Sequence, residues 1–271
     1  MLQCTVLKTV HILQEGKKKY GAVYDAWKTD PANFEIDGKF PVRELWERGA
    51  QCWETILKTE GIDVLVVAHN AINQSMVANA LGLGPEYFRR LTQSNCGLTT
   101  FSFTPSNSAE PAVVLEQLNQ TPAPPLMGNV DKAKNRAVLI CASEFTDGVD
   151  HGEIASAIAL ALGDECVDFL LCDEAASSFT FARSVAAVSQ LEAPKQSSGS
   201  LSEETMCALR SAGTTVMFAE SQMIESILER ALQVDIGLGS RIRLSCGGIT
   251  IVDFIGGHNA SVACLNYTAH L

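Results

Sequence analysis

Residues Asp63–Phe103 read DVLVVAHNAINQSMVANALGLGPEYFRRLTQSNCGLTTFSF, and the fold is decided here. Val64–Ala68 is an almost unbroken apolar run rich in valine, which predicts a strand buried on both faces. Polarity changes abruptly at His69-Asn70. From Ile72 onward, apolar residues recur at Ile72, Met76, Val77, Ala80 and Leu81, the spacing of one helix face. His69 and Asn70 therefore stand where a buried strand ends and a helix begins. Open α/β sheets place their ligands at such junctions, and the helix start offers unpaired N–H groups to an anion. A histidine there is placed to hydrogen-bond a phosphate oxygen.

Working outward, the chain of 271 residues can bury one large core or two small ones. Apolar residues make up 46% and charged residues 19%, a globular composition. The net charge of −11 argues against nucleic acid and anionic membrane surfaces as partners. Any phosphate site must then be a local pocket. Nine cysteines stand at irregular spacings with no C-x-x-C pair, and read as reduced thiols in an intracellular or organellar compartment. No apolar run approaches the roughly 18–20 residues that span a bilayer. The start, MLQCTVLKTVHIL, has neither a secretory signal's basic region and cleavage site nor a transit peptide's Ser and Arg.

Before the central stretch, Lys17–Asp30 carries Tyr20, Tyr24 and Trp27 at helical spacing, and Pro31 ends it. Val42–Glu60 predicts an amphipathic helix with a stripe of Leu45, Trp46, Cys52, Trp53, Ile56 and Leu57, closed by Gly61. After the central helix, Glu86–Gln93 predicts a short second helix. Gly97–Phe103 and Ala112–Leu118 predict a hairpin. Thr121–Asn135, with three prolines, is the expected linker. Beyond it come strand Arg136–Cys141, helix Glu153–Leu162, strand Val167–Cys172, helix Ala175–Val188, loop Pro194–Ser200, and helix Leu201–Ala212 capped by Ser202. This alternation predicts an α/β layered domain with a largely parallel sheet.

An internal repeat lies underneath. A shift of 151 residues, which brings His69 onto Glu220, pairs Ala68 with Ala219, Ser75 with Ser226, Leu81 with Leu232 and Arg90 with Arg241. It also pairs Ser94 with Ser245, Gly97 with Gly248, Thr99 with Thr250 and Phe103 with Phe254. With a shorter hairpin, Leu118-Asn119 matches Leu265-Asn266. We read two copies of one unit. The second keeps the scaffold and carries Glu220 in the place of His69.

The segment LVVAHNAINQSMVANALGLGPEYFRRLTQSNCG resembles the second-histidine segment of the histidine phosphatase (phosphoglycerate mutase-like) superfamily. It is most similar to the plant 2-carboxy-D-arabinitol-1-phosphatase group, whose pattern also covers KYGAVYDAWKTDPANFEIDGKFPVRELWERGAQCW and the closing CLNYTAHL. The resemblance is close from about Gly16 to Thr121 and loose across Arg136–Leu271. It implies a three-layer αβα fold with a truncated first copy at 1–121, a linker at 122–135 and a degenerate second copy at 136–271. It implies hydrolysis of a sugar phosphate monoester like 2-carboxy-D-arabinitol 1-phosphate in the chloroplast stroma, with no metal or organic cofactor.

In such enzymes a first histidine, in an Arg-His-Gly motif, attacks phosphorus, while arginines and a second histidine hold the oxygens. Only the second histidine carries over, onto His69, with the role of phosphate contact; Asn70 beside it is the substrate-binding candidate. Arg-His-Gly occurs nowhere in the sequence. His151-Gly152 follows Asp150 and reads as a surface loop; His11 precedes Ile12; and Ala142-Ser143 stands where the second copy should bear its nucleophile. The expectation is little or no turnover. Two accounts stay open: a shortened version of a longer phosphatase, or a short non-catalytic protein that binds anions or assembles with others. Val64–Val67 wants strand neighbours on both sides, and the loss of one would leave an apolar edge, which favours the first.

The bland readings are stated beside these. Asn70 and Asn73 serve as helix cap and polar face as readily as ligand contacts. Arg90 recurs as Arg241, so a structural salt bridge is expected for it rather than a phosphate contact. Asn95 and Cys96 read as turn residues, and His258 and His270 have no neighbours in sequence that suggest metal.

Overall fold

The computed structural model describes residues 21, 23, 25–27, 29–59, 63–103, 113–122, 135–143, 151–162, 167–173, 175–189, 194–196, 201–210, 213–255, 259–269 and 271. Helix α1 falls within 21–29, with Trp27 packed on Phe34 and Phe88. Helix α2 (Pro41–Ile56) starts with proline in its first turn and buries Val42, Trp46, Trp53 and Ile56. It ends at Leu57, short of the predicted Glu60; Gly61 lies outside the described residues. Helix α3 (Asn70–Leu81) runs as its periodicity predicts and stops at Gly82, in the left-handed region (φ 75°). The two helices approach closely at Gly49, where a Cβ would stand 2.7 Å from Ser75 Oγ. Trp46 Nε1 donates to Leu83 O (2.9 Å) and Trp53 Nε1 to Met76 O (2.8 Å).

Strands β1 (Leu98–Phe103) and β2 (Val113–Gln120) form the predicted antiparallel hairpin. The predicted turn Pro105–Glu110 and most of the predicted linker lie outside the described residues. Further on come β3 (Asn135–Cys141), α4 (His151–Leu162), β4 (Val167–Cys172), α5 (Ala176–Ser189), β5 (Lys195–Gln196), α6 (Glu203–Leu209), β6 (Gly213–Ala219), α7 (Ser221–Leu232), β7 (Ile249–Phe254) and β8 (Ala260–Tyr267). Ser202 caps α6 as predicted, its hydroxyl accepting from Thr205 N. His151 opens α4 instead of lying in a loop. The eight strands form one sheet in the order β1-β2-β8-β7-β3-β6-β4-β5.

In the second half the layers are complete. Along β3, Ala137, Leu139 and Cys141 face a core with α6 and α7, while Val138, Ile140 and Ala142 face one with α4 and α5. Strand β3 is parallel to β6 on one side and antiparallel to β7 on the other. The buried pair Arg136–Asp253 joins β3 to β7 through two hydrogen bonds of 2.6 and 3.1 Å.

Two expectations fail. Residues 63–68 pair with no strand among the described residues, and Val64, Leu65, Val66 and Val67 are 40%, 81%, 40% and 87% exposed. An apolar run becomes a buried strand only with ladder partners, and none flanks it among the described residues. The predicted helix Glu86–Gln93 shrinks to a 3₁₀ turn, Pro85–Tyr87. Arg89 takes a positive φ of 72°, and the chain beyond is drawn into bonds with β8: Val262 N to Arg90 O (2.8 Å) and Thr92 N to Val262 O (2.9 Å).

Those bonds have mirror partners. Leu115 N donates to Arg241 O (2.8 Å), and Arg243 N to Leu115 O (3.0 Å). Each half thus lends its post-turn segment to the other half's last strand, as in an isologous interface. At the seam, where Leu118 meets Leu265, Asn119 and Asn266 both take positive φ (55° and 53°). Asn119 Oδ1 accepts from Ser94 N (2.7 Å), and its Nδ2 donates to Ala263 O (2.7 Å) across the seam. Asn266 Oδ1 accepts from Ser245 N (2.8 Å), and its Nδ2 donates to Glu116 O (2.9 Å). Asn119→Ala and Asn266→Ala should each lower unfolding free energy by about 2–4 kcal/mol, since each strips several buried bonds. Urea melts check this; a neutral result at either site contradicts the paired clamp.

Candidate functional site

His69 is the N-cap of α3, with extended backbone (φ −73°, ψ 155°), and it makes no side-chain capping bond. Its carbonyl accepts from Ile72 N and Asn73 N (both 3.1 Å), which starts the helix. The residue is exposed. The junction predicted from sequence is therefore in place, although the run before it is no ladder strand. At α3's first turn the amides of Asn70 and Ala71 precede any intrahelical acceptor and point outward with the positive end of the dipole.

The side chain of Asn70 is engaged in the scaffold. Its Nδ2 donates to Gln93 O and its Oδ1 accepts from Gln74 Nε2. Gln74 Oε1 in turn accepts from Arg89 N (2.7 Å). This chain fastens the segment 89–93 to α3. Asn73 Nδ2 donates to Ala68 O (3.2 Å) and steadies the bend into the helix. Gln74 and Gln93, both buried, were not singled out from sequence; glutamines in a helix and a loop give no signal until the bonds are seen.

The arginines are elsewhere. The Arg89 guanidinium stacks over Trp27 and Phe88 (5.2 and 5.3 Å). Arg90 donates to Leu232 O (3.3 Å) and Asn259 Oδ1 (3.1 Å), so its role is structural, by hydrogen bonds in place of the expected salt bridge. Cys96 takes a positive φ in a turn (58°). His11, His258 and His270 lie outside the described residues. Among the described residues no cluster of three or more His, Cys, Asp or Glu could hold a metal ion. No helix among them is long and apolar enough to cross a membrane.

At the equivalent junction of the second half, Glu220 caps α7 (φ −65°, ψ 158°). There the protein's own oxygens fill the helix start. Ser143 Oγ accepts from Ser221 N (3.1 Å), and buried Asp173 accepts from Glu220 N (2.8 Å). Cys246 Sγ donates to Ser143 O (3.2 Å), and burial pushes that thiol up to about 12. The serine and the carboxylate thus take two amides that would otherwise face an anion. The first junction has no such plug among the described residues.

Residues 11–114 match the profile of the histidine phosphatase superfamily, branch 1. This stretch is a histidine phosphatase superfamily domain. The chain is 52% identical over 131 residues to 2-carboxy-D-arabinitol-1-phosphatase of Triticum aestivum, covering 47% of this chain and 26% of that protein. It is also 52% identical over 132 residues to a probable 2-carboxy-D-arabinitol-1-phosphatase of Arabidopsis thaliana, covering 47% and 27%. The chain thus spans about a quarter of the length of the curated relatives it matches. Among solved structures, Bacillus stearothermophilus YhfR aligns with a TM-score of 0.42 at 11% identity, covering 50% of this chain and 98% of that one.

Two substitutions separate scaffold from site. His69→Ala should leave stability within about 0.5 kcal/mol, as for an exposed residue without a capping bond. Asn70→Ala should cost about 1–3 kcal/mol by orphaning Gln74 and the Gln93 carbonyl. Thermal melts of both variants read the difference, and equal losses would contradict it.

Proposed function

We propose that residues 1–121 are the C-terminal part of a histidine phosphatase domain and that 136–271 are a degenerate copy joined by the linker 122–135. The substrate class is a phosphorylated sugar or sugar acid like 2-carboxy-D-arabinitol 1-phosphate, and the compartment is the chloroplast stroma. The reading is carried by His69: it stands exposed at the start of α3, within residues 11–114 that match the histidine phosphatase profile. Its imidazole and the free amides of Asn70 and Ala71 would receive phosphate oxygens. The Asn70 side chain holds that turn in place from behind.

The sequence has no Arg-His-Gly nucleophile. Phosphoryl transfer through a phosphohistidine needs one. The chain as given therefore binds phosphate without turning it over, and acts as an anion-binding pseudophosphatase. In an assay with 4-nitrophenyl phosphate, release above buffer should be absent. Titration with inorganic phosphate should move the His69 imidazole resonances, and His69→Ala should weaken binding roughly tenfold, the loss of one hydrogen bond to a charged group. Hydrolysis abolished by His69→Ala would overturn the inactivity. Phosphate that leaves the His69 resonances unmoved would overturn the contact.

A further inference from the structure

The starts of α3 and α7 differ in what lies beneath them. Both halves share the seam clamp: Asn119 N donates to Thr99 Oγ1 and Asn266 N to Thr250 Oγ1, each at 3.1 Å. In the first half that threonine carries the network onward. Thr99 Oγ1 donates to Gln93 Oε1 (3.2 Å), and the Gln93 carbonyl accepts from Asn70 Nδ2. Asn70 Oδ1 accepts from Gln74 Nε2, and Gln74 Oε1 accepts from Arg89 N (2.7 Å). A relay of hydrogen bonds thus runs from the seam to the first turn of α3, one residue past His69.

The second half lacks all three connecting side chains. The 151-residue shift sets Ser221 against Asn70, Glu225 against Gln74 and Leu244 against Gln93. A leucine side chain cannot accept from Thr250, and an ionised carboxylate cannot donate to Ser221. The clamp stands in both halves, whereas the relay stands only in the half that carries the histidine. Packing of the two halves explains the clamp; it does not explain a relay that goes with His69. Within the relay, Gln74 has two tasks that only an amide performs together: it accepts from Arg89 N and donates to Asn70 Oδ1. It is buried, at 7% exposure, and so does not itself face a ligand in solution.

We propose that Gln74 is a positioning residue for the anion site. Through Asn70 it fixes the first turn of α3, and with it the His69 imidazole and the amides of Asn70 and Ala71, in the arrangement that receives a phosphate. Donors held in place before the ligand arrives bind it more tightly, because less ordering remains to be done. Loosening this turn therefore costs affinity without removing any group that touches the anion. The inference rests on the phosphate reading of His69 and adds the side chain that holds that site in register.

The test uses the full chain, inorganic phosphate and the His69 imidazole resonances as the readout. Gln74→Met removes both bonds; Gln74→Glu keeps the acceptor for Arg89 N and loses the donor to Asn70. Each should weaken phosphate binding about fivefold, and neither should weaken it further once Asn70→Ala is present, since the effect passes through Asn70. The glutamate variant decides the matter if the methionine variant does not fold, and the Asn70→Ala background separates positioning from added charge, which would act in either background. Losses that add to that of Asn70→Ala overturn the proposal. A parent chain that binds phosphate and a Gln74→Glu variant that binds it equally overturn this inference alone. A parent chain whose His69 resonances ignore phosphate overturns it together with the reading it rests on.

Discussion

A backbone N–H or C=O taken from water must find a partner, and a strand finds its partners only in its neighbours. That constraint separates the two halves of this protein. β6 has parallel partners on both sides, β3 and β4, and its Val216, Met217, Phe218 and Ala219 are fully buried. The matching run, Val64–Ala68, is as apolar, yet it lies exposed with no ladder partner among the described residues. The same residue types thus give a core strand in one context and an uncovered segment in the other.

The seam between the halves is built by reciprocity. Asn119 and Asn266 each accept from an amide in their own half, at Ser94 and Ser245, and donate to a carbonyl of the other half, at Ala263 and Glu116. A Cβ on Gly97 would fall 2.5 Å from Asn119 Oδ1, and one on Gly248 2.3 Å from Asn266 Oδ1, so both positions admit only glycine while the clamp stands. This fixes the loops that begin β1 and β7. It also sets Gln93 and the Asn70–Gln74 chain, and through them the start of α3. The position of His69 therefore depends on contacts some fifty residues away in sequence and on the opposite half.

Much of this was legible in the sequence where the determinants are local. The period of Ile72, Met76, Val77 and Leu81 marks α3, and the polarity break marks its cap at His69. With the shorter second hairpin allowed for, the repeat also aligns Asn119 with Asn266. What was not legible depends on distant partners. Whether Val64–Val67 becomes a strand is decided by what lies beside it. The turn at Arg89 is set by Gln74 and by β8, not by the helical look of EYFRRLTQ. The plug of Ser143 and Asp173 at Glu220 shows only when three separate segments meet.

The central claim is that residues 63–68 and β6 are the same element, partnered in one half and without a ladder partner among the described residues of the other. Amide hydrogen exchange on the full chain compares them within one molecule. The account predicts that amides of Val64–Val67 exchange orders of magnitude faster than those of Thr215–Phe218, with α3 protected beyond its first turn. Equal, strong protection in both runs would contradict it, because the amides of Val64–Val67 would then have ladder partners.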